Sequence, residues 1–102
     1  MPKDLYVSDL LDVYGSFLSE KQRNIAGHYY NDDLSLSEIA ENEGITRQGV
    51  NDLIRRTEAQ LREWEKDCHY CERFFRLKTL AEETRNGEAD DLDELLDLIE
   101  KL

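Results

Sequence analysis

Helix breakers are scarce in this chain. Its one proline stands at position 2, and only five glycines are spread over 102 residues. That scarcity excludes an architecture of many short strands joined by glycine- and proline-rich turns. Cysteine is scarce too: Cys68 and Cys71 are too few for the disulfide framework of a small secreted domain. No apolar run approaches the roughly 20 residues that a bilayer span requires, and the N-terminus lacks a secretory-leader profile. A cytoplasmic chain with no membrane span is therefore expected. Basic residues are the last shortage. Thirteen stand against 24 acidic ones, a formal net charge of −11, which works against any contact with phosphate.

What is present is charge and periodicity. Charged residues make up 36% and hydrophobic ones 39% of the chain, enough for a modest core. Their helical spacing predicts an all-α fold. Residues 4–18 place Leu10, Tyr14 and Phe17 on one face, with Tyr6, Val7 and Leu11 beside them. Ser19 with Gln22, and Ser35 with Glu38, have the spacing of reciprocal helix caps. "NDD" at 31–33 reads as the turn between those two helices.

The stretch "LSLSEIAENEGITRQGVNDLIRR", residues 34–56, has the pattern of a helix-turn-helix. Ile39 and Ala40 should lie inward, with Ala40 small because the next helix crosses close above it. Gly44 supplies the left-handed conformation that reverses the chain. Thr46 offers a further cap, Ile45 fills the angle between the helices, and Val50 with Leu53 or Ile54 forms the underside of the second. Thr46, Arg47, Gln48, Asn51, Asp52 and Arg55 remain outward, where such a helix faces the major groove. If nucleic acid binds there, Arg47 and Gln48 suit base edges and Arg55 and Arg56 suit phosphates. Four arginines (47, 55, 56 and 62) outnumber two acids (Asp52 and Glu58) between Gly44 and Arg62. Gly49, inside the helix, reads as room for a close helix approach.

In the second half, Val50, Ile54, Thr57, Leu61, Trp64, Cys68, Cys71 and Phe75 alternate by four and three residues. One long helix from the recognition segment to about residue 85 is the simplest reading, with Phe74, Leu77, Leu80 and Ala81 widening its apolar stripe. So long a seam predicts a homodimer contact. Asn86-Gly87 then marks a break, and Leu92, Leu95, Leu96, Ile99 and Leu102 line a strongly acidic last helix. The division expected is a helix-turn-helix domain over 1–64 and a long-helix extension with an acidic C-terminal helix over 65–102. "CHYC" at 68–71 offers three zinc ligands where zinc prefers four, so the cysteines read as core residues. No metal or cofactor is expected, and no catalytic spacing stands out, so the chain reads as a non-enzyme.

Residues 10–65 resemble the YlxM family of bacterial helix-turn-helix proteins, especially through "YYNDDLSLSEIAE", "TRQGV" and "RRTE". The resemblance implies a fold like the last region of sigma factors. It also implies a part in the signal recognition particle pathway, whose GTPase and receptor genes lie beside those of family members. Thr46, Arg47, Gln48 and Arg55 match the family's recognition helix. Two readings of function stand at this point. One is a regulator that binds DNA or RNA through residues 46–56. The other is an accessory that docks a basic protein of the targeting machinery without touching nucleic acid.

Overall fold

Four short polar side chains set where the first four helices begin. In the computed structural model, which describes residues 4–86 and 92–101, Asp4 accepts the Tyr6 N–H at 3.0 Å and opens α1, Leu5–Tyr14. A single 3₁₀ turn, Gly15–Phe17, follows. Ser19 and Gln22 close a reciprocal capping box at the start of α2, Glu20–Tyr30. Ser35 and Glu38 repeat it for α3, Leu36–Glu43. The Thr46 hydroxyl accepts the Gly49 N–H at 2.9 Å and starts α4, Arg47–Cys68. Among the described residues all regular structure is helical.

The chain divides into two compact units at Asp67/Cys68. In the first, α1 packs on α2 and α2 on α3. Ile25, Ile39, Ala40, Val50, Leu53 and Ile54 form a buried cluster, flanked by the half-buried Tyr29, Tyr30, Leu34, Leu36 and Ile45. This cluster fixes the angle between α3 and α4, and hence the direction in which the exposed side of α4 points. Gly44 adopts φ 67°, ψ 31° as the C-cap of α3. A Cβ at Gly44 would meet no other atom within 4 Å, so the cost of a side chain there is conformational alone. Gly44→Ala should lower stability by about 1 kcal/mol, with Gly44→Asn losing less, read from the midpoint of urea unfolding.

Helix α4 is the spine of the first unit, and polar ties run to it from α1 with its cap and from α2. Tyr14 donates to the buried Glu65 carboxylate at 2.6 Å. Tyr30 donates to Glu58 at 2.8 Å, and partial burial with that carboxylate pushes the phenol well above its usual range. Gln22 donates to Thr57 and Gln60 at 3.3 and 3.1 Å. Arg62 reaches Asp4 at 2.6 Å and Glu58 at 3.2 Å. The Arg62 guanidinium, chiefly through its hydrogen bond, holds the exposed Asp4 carboxyl below its ordinary range.

Several expectations require correction. The single long helix to residue 85 is two helices, because His69 takes a left-handed conformation (φ 57°, ψ 24°) between α4 and α5, Tyr70–Arg85. A residue in that conformation cannot continue a right-handed ladder, and histidine is one of the side chains that tolerates it. The seam is also not one surface. Val50, Ile54, Thr57 and Leu61 are buried within the first unit, while Phe75 is exposed. Tyr6 and Phe17, expected on the inner face of the first helix, are exposed, and Phe17 lies edge-on to Trp64 at 6.3 Å. Around Gly49 the nearest atoms to an added Cβ are Thr46 Oγ1 at 3.1 Å and Ile45 Cδ1 at 3.9 Å. Its missing side chain makes room for the cap, not for a crossing helix.

The second unit pairs α5 with α6, Leu92–Glu100. Arg76 bonds Glu94 at 2.7 Å, and Arg73 donates to the Lys101 carbonyl at 3.2 Å. Cys71 and Leu80 are buried. The apolar face expected on the last helix turns mostly outward: Leu92, Leu96 and Ile99 are exposed, whereas Leu95 and Leu98 are half-buried. Helix α5 ends at Arg85 with Asn86 as its C-cap. Gly87, Asp90, Asp91 and Leu102 lie outside the described residues.

Candidate nucleic-acid interface

The exposed surface of α4 follows from what its buried surface must satisfy. Val50, Leu53, Ile54 and Thr57 face the core. At about 100° per residue, the residues opposite them are Gln48, Asp52 and Arg55, all exposed. Arg47 and the half-buried Asn51 lie to one side of that line, and Arg56 lies to the other. The residues anticipated from sequence, Thr46, Arg47, Gln48, Asn51, Arg55 and Arg56, are thus on the solvent side of α4, with Arg47 and Arg56 at opposite edges. Thr46 differs in kind, because its hydroxyl is occupied as the helix cap. A shallow groove lined by Leu36, Arg47, Gln48 and Asn51 runs between the starts of α3 and α4.

The charges of this surface differ from those further along the helix. Arg62, further along the same helix, is held by two carboxylates and lies 5.9 Å from the centre of the Tyr6 ring. Arg47, Arg55 and Arg56 pair with no carboxylate among the described residues, although acids outnumber bases almost two to one. The Asn51 amide is likewise unengaged by any described side chain. Gln48 is the exception. Its amide donates to Asp52 Oδ1 at 3.1 Å, one helical turn on. Among the outward residues the sequence marks Asp52 only as an acid, although its four-residue spacing from Gln48 is a signal for this bond.

Nothing in the surface suggests a metal centre. Among the described residues no group of three or more His, Cys, Asp or Glu side chains is placed to hold an ion. Cys68 is half-buried and Cys71 buried, neither in a disulfide, and His69 lies 3.4 Å from Glu72 in an exposed pair. No described helix is long and apolar enough to cross a membrane.

Two capped helices, a left-handed glycine between them and an exposed second helix define a helix-turn-helix protein. A family profile described as "Putative helix-turn-helix protein, YlxM / p13 like" matches residues 1–100, and the chain belongs to that family, UPF0122. It is 45% identical to a UPF0122 protein of Shouchella clausii, over all of this chain and 98% of the relative. Identity to a UPF0122 protein of Clostridium kluyveri is 42%, covering 93% of this chain and 82% of the other. A Halalkalibacterium halodurans relative is 40% identical across the whole chain and 95% of its own length.

Proposed function

We propose that this protein is a regulator that binds duplex DNA through the exposed face of α4. One observation carries the reading: Arg47, Arg55 and Arg56 are left without carboxylate partners in a chain with 24 acids. Arg23 on α2 is likewise without a carboxylate among the described residues; what sets these three apart is that they gather on one exposed helix face, while Arg62 on the same helix is paired. Arg47 and Arg56, on either side of the face, are spaced to meet phosphates, with Gln48 and Asn51 between them suited to base edges. B-form DNA is favoured over duplex RNA because the A-form major groove is too narrow for a helix to read. The family resemblance supports the signal recognition particle pathway as the setting in which such a regulator would act.

The test is a titration of the protein at about 50 mM salt, where phosphate contacts are strong, against duplex DNA and the particle's RNA. Binding to duplex DNA that weakens steeply by about 200 mM salt is expected. No binding to either ligand removes the reading and leaves the accessory protein that docks a basic partner.

A second reading concerns assembly. The protein acts as a homodimer through its second unit, supported by the exposed Tyr70, Phe74 and Phe75 on α5 and Leu92, Leu96 and Ile99 on α6. A two-helix unit cannot bury six large apolar side chains by itself, and a two-fold contact is the commonest way of covering such a face. The contact proposed is not the seam through Leu61, which its own chain already covers. Light scattering at tens of micromolar should return twice the 12.0 kDa chain mass, and Phe74→Glu with Leu96→Glu should halve it. A 12.0 kDa particle for the unaltered protein overturns this assembly.

A further inference from the structure

We propose that Asp52 is a specificity-determining residue of the α4 face, and that it acts by locking the Gln48 side-chain amide. The inference rests on the nucleic-acid reading above. A glutamine amide is ambidextrous: its oxygen accepts, its NH₂ donates twice, and an unrestrained amide turns over to suit whichever base edge it meets. Gln48 is not unrestrained. Its Nε2 donates to Asp52 Oδ1 at 3.1 Å across one turn of helix. A carboxylate only accepts, so the NH₂ must face it and the carbonyl oxygen must face away. Turning the amide over would set two oxygens against each other and forfeit a charge-assisted bond.

The locked amide offers the duplex an acceptor oxygen and at most one remaining N–H. In the major groove, adenine presents an N6 donor with an N7 acceptor, and cytosine presents an N4 donor. Guanine shows two acceptors there, and thymine an acceptor and a methyl group. The locked form therefore favours adenine or cytosine, which can engage its oxygen, over guanine and thymine, which it can meet only through the remaining N–H. The Asp52 carboxylate, exposed on the same face, adds a second effect. It repels phosphate, so a misplaced duplex is penalised while Arg47, Arg55 and Arg56 attract any duplex. Asp52 thus lowers total affinity and raises the share of it that depends on sequence.

Two measurements test this. In the free protein, one Gln48 side-chain amide proton should be deshielded and protected from exchange relative to the same proton in Asp52→Ala. Equal resonances in the two proteins overturn the lock without reference to any ligand. The second measurement is selection from a randomised duplex pool at low salt. The position read by Gln48 is the one whose preference disappears in Gln48→Ala. There the unaltered protein should enrich adenine or cytosine by about tenfold over guanine and thymine. Asp52→Asn removes the charge but brings an amide that can itself turn over, so it should bind all duplexes more tightly and weaken the preference. Asp52→Ala should bind more tightly too but lose the preference. If Asp52→Ala selects the same base as strongly, the inference falls while DNA binding stands. If the unaltered protein retains no duplex at all, both fall together.

Discussion

Replacing Leu61 by alanine should cost about 2–5 kcal/mol of unfolding free energy and lower the melting temperature by roughly 10 °C or more. Leu61 is completely buried on α4, one turn beyond Thr57, which accepts from Gln22, and one turn before the Glu65 carboxylate that Tyr14 bonds. Truncation removes methyl and methylene groups from water-free surroundings and leaves a void between two polar ties that resist collapse into it. Leu5→Ala on α1 is the control. The side chain is 76% exposed, so its loss should change stability by less than about 0.5 kcal/mol. Thermal denaturation followed by circular dichroism compares the two. A Leu61 variant that melts with the unaltered protein would mean that α4 is not the spine of the first unit.

The second large effect is on binding. Arg55→Ala combined with Arg56→Ala should weaken duplex binding by roughly tenfold per arginine at low salt, as charge-assisted bonds to phosphate are lost. It should also flatten the dependence of affinity on salt, by about one unit of logarithmic slope for each phosphate no longer neutralised. The fold should be unaffected, since both side chains are exposed and neither pairs with a described residue. Lysine at both positions should restore most of the slope. An unchanged slope in the alanine variant would show that these arginines never meet the backbone.

The helix-turn-helix was legible because its signals are local. A cap and its partner lie three residues apart, a left-handed glycine declares itself by type, and an inward triplet repeats with the helix period. Ser35, Gly44 and Val50 could each be placed from the sequence alone, and the structure puts them where the spacing did. The polar ties of α4 were not legible, because Tyr14 and Glu65 are 51 residues apart and no local pattern matches a phenol to a distant carboxylate. The break at His69 was hidden for a different reason. Helices usually announce their ends with glycine, proline or asparagine, and here a histidine takes the left-handed conformation within an unbroken apolar spacing. At the candidate interface the exposed residues were readable from the period, but the state of each was not. That Arg62 is paired while Arg55 is free, and that Gln48 is tethered to Asp52, depends on where whole side chains lie.

The position of Trp64 gives the protein an optical label. It is the only tryptophan in the chain, and it lies in the first unit with its ring centre 6.1 Å from that of Tyr14 and 6.3 Å from that of Phe17. Emission excited at the red edge of the aromatic band therefore reports the melting of the helix-turn-helix unit alone. Far-ultraviolet ellipticity, by contrast, counts the helices of both units. Followed together through a denaturant titration, the two signals separate the unfolding of α1–α4 from that of α5 and α6 with no dye and no engineered residue. Coincident curves would mean that the two units melt as one cooperative body, and an ellipticity change preceding the fluorescence change would mean that the α5–α6 pair opens first.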